Sequence, residues 1–212
     1  MPALRIKDII NCLSRIGVAL KANTAKASYE LRKIGKMIDA QIPYHDGHAL
    51  KVCDLALRIG AALKLTKAQM LILEATALLH DFGKIGLRTG LLIKTTPLTR
   101  LEKKQIQSHV LKGYYMLQGF KELNEILKGV RDHHEHYDGG GYPLGLTGNH
   151  ICLNGRIIAI ADAFAAMTSD RPYRQAKTKK EALGELKKCS GKQFDPHLVR
   201  KLMEILDKDH DT

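Results

Sequence analysis

The sequence predicts an all-α fold, on three observations. Apolar residues recur at helical spacing, as in Val52, Ala56, Ile59 and Leu63. Period-two alternation persists nowhere, which argues against strands. Thr66, Thr99 and Thr178 each stand three residues before Gln69, Glu102 and Glu181, the capping-box pattern that opens helices. About seven to nine helices in one domain are expected.

Residues 1–40 carry eight basic side chains against three acidic ones. Ile6, Ile9, Leu13, Ile16 and Leu20 share one face, so this segment reads as a basic amphipathic helix preceding a main domain over residues 41–207. Its apolar face holds nothing larger than Leu or Ile, which suits packing on its own domain or a partner better than lying on a membrane. Asp46 is placed to cap a helix that carries His48 in its first turn and reaches Leu63. The Thr66 box opens a helix with the stripe Ala68, Leu71, Ile72, Ala75, Leu78 and Leu79. That helix closes on His80-Asp81-Phe82-Gly83-Lys84, with Gly83 as its stop.

The Thr99 box opens one helix carrying His109 towards Gly113. Residues 123–131 form a helix that delivers His133 and His134, and residues 138–154, rich in Gly and Pro, form a long loop. Asn154 starts a strongly apolar helix with Asp162 inside it. The Thr178 box opens another, and Asp195-Pro196 supplies a cap and a first-turn proline for the last, which ends near residue 207.

Hydrophobic residues make up 44% of the 212, enough for a real core, and with 5% aromatics and no Trp that core must be aliphatic. The formal charge of +12 favours an anionic partner, although scattered lysines also make an ordinary solvated surface. Cys12, Cys53, Cys152 and Cys189 have no CxxC spacing. They read as reduced thiols, and with no signal peptide visible a cytoplasmic protein is expected. No apolar run approaches the roughly 20 residues of a membrane helix.

The polar outliers on or beside apolar helices are His48, His80, Asp81, His109, His133, His134 and Asp162. Asp162 lies in Ile160-Ala161-Asp162-Ala163-Phe164, where every neighbour prefers burial, and a buried carboxylate must be paired or bind a cation. Five imidazoles and two carboxylates with no cysteine suit iron, manganese or a similar octahedral ion. If Asp81 bridges, one ion takes His48, His80, Asp81 and Asp162, and the other takes Asp81, His109, His133 and His134. Such a pair supports two-metal phosphoester hydrolysis. Lys84 is placed either to contact a phosphate oxygen or to neutralise a helix end.

Motifs continue beyond these residues. They include His133-His134-Glu135, Asp138-Gly139-Gly140-Gly141-Tyr142-Pro143, Gly145 and Gly148, Ile151 and Leu153, and Arg156-Ile157. They end with Thr168-Ser169-Asp170-Arg171-Pro172-Tyr173-Arg174 and Gln193-Phe194-Asp195-Pro196. Together with His80-Asp81 and Lys84, this ordered set over residues 41–204 resembles the HD-GYP family, a bacterial branch of the HD metal-dependent phosphohydrolases. The resemblance implies an HD-type helical bundle with additional C-terminal helices, and hydrolysis of the second messenger cyclic di-GMP to pGpG or GMP. It implies metal-ligand roles for the seven outliers, with two divalent ions, Fe or Mn, as cofactors. It places Lys84 near the scissile phosphate and gives dinucleotide contacts to Tyr142, Arg171 and Arg174.

Glu135 and Asp138 then read as supporting or turn-forming groups, and His136 as no ligand. Tyr44 stands where some members have a metal-binding Glu, so two ions rather than three are expected. Ala165 replaces a frequent Asp, and Cys152 and Gly155 replace the usual Pro and Ala. Two alternatives share these residues: a module that senses cyclic di-GMP or docks signalling proteins, and a hydrolase of another nucleotide. A homodimer through residues 1–40 is a further candidate partner state, and no DNA binding is expected.

Overall fold

Ten α-helical segments run in order among the described residues: α1 (Ala25–Asp39), α2 (His48–Ala62), α3 (Lys67–Leu79), α4 (Thr89–Leu92), α5 (Arg100–Gln107), α6 (His109–Gln118), α7 (Asn124–Asp132), α8 (Leu153–Met167), α9 (Lys179–Lys188) and α10 (Pro196–Asp207). This computed structural model describes residues 11, 13, 25–42, 47–170 and 175–208. The N-cap of α2 is Gly47, in a left-handed conformation at φ 69°, rather than the expected Asp46. Expectations placed on Ile6, Ile9, Cys12, Ile16, Leu20, Tyr44, Arg171 and Arg174 lie outside the described residues. Among those described, only isolated bridges occur, Asp138 with Thr147 and Ser190 with Phe194. No described helix is long and apolar enough to cross a membrane.

Helix α3 is the axis, with α1, α2, α7 and α8 packed around it. Its N-terminal Ala68 is exposed, contrary to the expected stripe, while every residue from 73 to 79 is buried. The one-sided stripe becomes all-round burial because four helices enclose that half. Helix α1 joins the same core through Leu31, Ile34 and Ile38, beside Leu13. Its Ser28 Oγ and Arg32 Nε donate to the buried Glu74 carboxylate of α3 at 2.7 and 3.0 Å.

All three capping boxes form, and Asp195 caps α10 ahead of Pro196. The ten segments exceed the seven to nine helices expected. Two further expectations need correction. The helix opened by Thr99 does not run unbroken through His109, because it stops at Gln107 and restarts at His109. Gly83 is not a left-handed stop. It lies in a 3-10 turn (Phe82–Gly86), where a Cβ would stand 1.9 Å from the His109 carbonyl oxygen. Glycine is needed there so that this turn can press on α6.

Candidate metal centre

Five segments of the chain meet at the centre. His48 opens α2, His80 and Asp81 follow α3, His109 opens α6, His133 and His134 follow α7, and Asp162 lies mid-way along α8. Ligand-capable atoms of Asp81, His109, His133 and His134 lie within 4.8 Å of one another, and so do those of His48, His80 and Asp162. Asp81 faces both groups: Oδ1 is 3.3 Å from His109 Nε2, and Oδ2 is 3.3 Å from His80 Nε2. His48 Nε2 lies 3.0 Å from Asp162 Oδ1. The His80 and His133 ring centroids, one from each group, are 5.1 Å apart. The seven residues come together in two groups, and Asp81, a member of the first, also approaches His80 of the second.

Backbone carbonyls set the rings. Nδ1 of His80, His109 and His133 lies 2.7 Å from the carbonyl oxygens of Ala77, Ile106 and Val130, each three residues earlier. A carbonyl only accepts, so each Nδ1 carries the hydrogen and, in a neutral ring, each Nε2 keeps a lone pair facing the centre. The Nε2 atoms of His109 and His133 are 3.5 Å apart. Two lone pairs at that distance call for a cation or a proton between them.

Burial, reinforced by the neighbouring imidazoles, holds His133 well below its ordinary pKa. Burial likewise pushes His134 down to about 3, and lowers His109 despite Asp81. A proton is therefore disfavoured on these three, and a cation suits the gap. His80 goes the other way: burial opposes charge, but Asp81 and then Asp162 raise it to about 9. Burial would raise both carboxyls. Lys84, His80 and His109 nevertheless keep Asp81 well below the carboxylate range, and the His48 hydrogen bond does the same for Asp162. His80 Nε2 is buried without a well-formed hydrogen bond. Ionised carboxylates beside imidazoles form a nitrogen and oxygen donor set that fits divalent transition ions.

Lys84 Nζ stands 2.6 Å from Asp81 Oδ2, at the rim of the centre. Tyr142 stacks on His134, with centroids 5.0 Å apart and planes 22° from parallel, and its N–H donates to the His134 carbonyl. Glu135 holds this loop from beneath. It is 2% exposed, and its two oxygens accept from the N–H groups of Leu144 at 2.6 Å and Leu146 at 3.0 Å. Asp138 Oδ1 accepts from Gly140 N–H in a tight turn, and His136 is only partly buried and belongs to neither donor group. Replacing Glu135 with Gln would leave one of those N–H groups without its acceptor. An expected loss of about 1–3 kcal/mol would appear in denaturant unfolding, with ion content unchanged.

Sequence reasoning missed Asp39 and Asp132. Asp39 Oδ2 accepts from Ala49 N–H at 3.0 Å, so it ties down the first turn of α2 beside His48. Burial pushes its carboxyl up to about 6. Each is the last residue of its helix, α1 or α7. An acid at a helix C-terminus opposes the macrodipole, and that anomaly was the available signal.

The HD domain family model matches residues 32–198. The chain is 34% identical over 172 residues to 3'3'-cGAMP-specific phosphodiesterase 3 of Vibrio cholerae, covering 81% of this chain and 37% of that protein. It is 37% identical over 170 residues to the cyclic di-GMP phosphodiesterase response regulator RpfG of Xanthomonas campestris, covering 76% of this chain and 44% of that protein. The chain thus spans less than half the length of these relatives. Among solved structures, an HDG"Y"P protein from Bdellovibrio bacteriovorus, Bd1817, superposes with a TM-score of 0.66 at 19% identity, over 96% of this chain and 65% of that one. The cyclic GMP-AMP specific phosphodiesterase V-cGAP3 of V. cholerae superposes with a TM-score of 0.60 at 22% identity, over 92% of this chain and 49% of that one.

Proposed function

Because the chain belongs to the HD domain family, in its HD-GYP branch, we propose that it is a metal-dependent phosphodiesterase acting on cyclic di-GMP or a closely related cyclic dinucleotide. The observation that carries this reading is Asp81, one carboxylate facing two histidine groups. His48, His80, Asp81 and Asp162 would hold one divalent ion, and Asp81, His109, His133 and His134 a second, with Fe or Mn suited to the donors. When bound, the two ions would supply Lewis acidity towards water and phosphate.

The chain's own residues do the rest. The Lys84 ammonium, tethered to Asp81, presents positive charge to an anionic phosphate as more charge builds on it. The Tyr142 ring, packed on His134, offers a flat face to a base or ribose at the rim. Arg171 and Arg174, outside the described residues, stay proposed dinucleotide contacts. Relatives are named for both cyclic di-GMP and 3'3'-cGAMP, so both are candidate substrates.

The test is chromatography after incubating anaerobically purified protein, loaded with Fe(II) or Mn(II), with each dinucleotide. Linear dinucleotide or mononucleotide product is expected. Tight binding without product would replace the enzyme with a sensing module. A folded protein that takes up fewer than about one ion per chain would sink the two-ion assignment.

A further inference from the structure

We propose that Asp132 is a positioning residue that sets how tightly the ion at His109, His133 and His134 is held. The proposal rests on the two-ion reading above. Asp132 ends α7 and directly precedes His133, and it is 1% exposed. Its Oδ1 accepts from Arg131 Nε at 2.7 Å. Its Oδ2 accepts from the backbone N–H of Cys152 at 3.1 Å. Cys152 is the N-cap of α8, the helix that carries Asp162, and its sulfur accepts from Gly155 N–H.

The joint is tight on both sides. A Cβ at Gly155 would stand 2.8 Å from the Asp132 Cβ and 3.2 Å from its carbonyl carbon. A Cβ at Gly129 would meet Thr76 of α3 at 2.4 Å and Asn154 at 3.2 Å. The end of α7 is therefore locked between α3 and the start of α8. Its only polar tie to α8 among the hydrogen bonds described is the Asp132 carboxylate.

That tie needs an N–H at residue 152, which proline would lack, and a residue at 155 without a side chain. The two imidazoles that follow Asp132 inherit its position. His133 and His134 have ring centroids 4.2 Å apart, so a displaced helix end moves both donors together. Asp162 lies ten residues further along α8 than Cys152, about 15 Å away along the helix. It belongs to the other group, and the hydrogen bonds described for Asp132 go to Arg131 and Cys152 instead. The carboxylate should therefore act on one ion and not on the other.

The experiment is a Mn(II) titration followed by electron paramagnetic resonance of the free ion, in wild type, Asp132→Ala, Asp132→Asn and Gly155→Ala. In Asp132→Ala, one ion should bind as in wild type and the other about tenfold or more weakly, the usual scale for groups that orient ligands. Asp132→Asn, which keeps an acceptor for Cys152, should restore most of the affinity. Gly155→Ala, which pushes the joint apart, should repeat the loss. In a His48→Ala background the weakening should persist, and in His134→Ala it should vanish.

Equal weakening of both ions, or no change in either, overturns the proposal. Should Asp132→Ala fail to fold, Asp132→Asn and Gly155→Ala still decide it by the same criterion. A wild-type protein that binds no ions overturns the two-ion reading itself, and that result is distinct from all of these.

Discussion

Asp81→Ala is expected to abolish turnover. It should cut kcat/KM about a thousand-fold or more, since metal-derived charge stabilisation supplies several kcal/mol and each 1.36 kcal/mol is worth tenfold. The reason is geometric. Asp81 approaches His109 with one oxygen and His80 with the other, each at 3.3 Å, so one truncation removes a donor from both groups. It also removes the partner of Lys84, whose Nζ rests 2.6 Å from Oδ2. What remains is a cluster of imidazoles and a lysine with Asp162 as the nearby anion, which suits cations poorly. Initial rates alongside elemental analysis check this. A variant that keeps both ions and turns over within about tenfold of wild type would refute the placement of Asp81 between them.

Gly83→Ala is the second large effect, and it acts through the backbone. Its Cβ would stand 1.9 Å from the His109 carbonyl oxygen and 2.4 Å from the Gly113 nitrogen. Both obstacles are main chain and cannot rotate away. Either the 3-10 turn carrying Lys84 or helix α6 carrying His109 must shift. Overpacking of a well-packed core costs about 1–3 kcal/mol, and a backbone collision belongs at or beyond the top of that range. A large drop in the unfolding midpoint is expected, with ion uptake impaired in whatever still folds. A variant of wild-type stability would show that the two segments are not packed this closely.

What the sequence reveals of this fold is what short-range chemistry decides. Thr66, Thr99 and Thr178 cap their helices because donor and acceptor lie three residues apart. The site's polar residues were visible because each breaks an apolar helix or its end. The break between α5 and α6 was not visible, because neither Gly nor Pro marks it. There Ser108 Oγ donates to the Gln105 carbonyl and His109 Nδ1 to the Ile106 carbonyl, so side chains take acceptors that a continuing helix would use. Gly83 misled because its purpose lies in a distant contact rather than in its own dihedrals. Asp132 was passed over because its acceptor role depends on Cys152, twenty residues on.

The carbonyl-anchored histidines have one more consequence. Ala77, Ile106 and Val130 lie in the last turns of α3, α5 and α7, where carbonyls lack helical partners. The rings of His80, His109 and His133 satisfy them. Those bonds join groups of the protein itself and need no ion as a partner. The chain therefore differs from small domains whose ligands are gathered only when metal arrives and whose folding is metal binding. Here the entropy of ordering three donors is already spent in finishing three helices. On the two-ion reading, metal uptake is expected to load an already folded chain, and circular dichroism after chelation to show the helices retained.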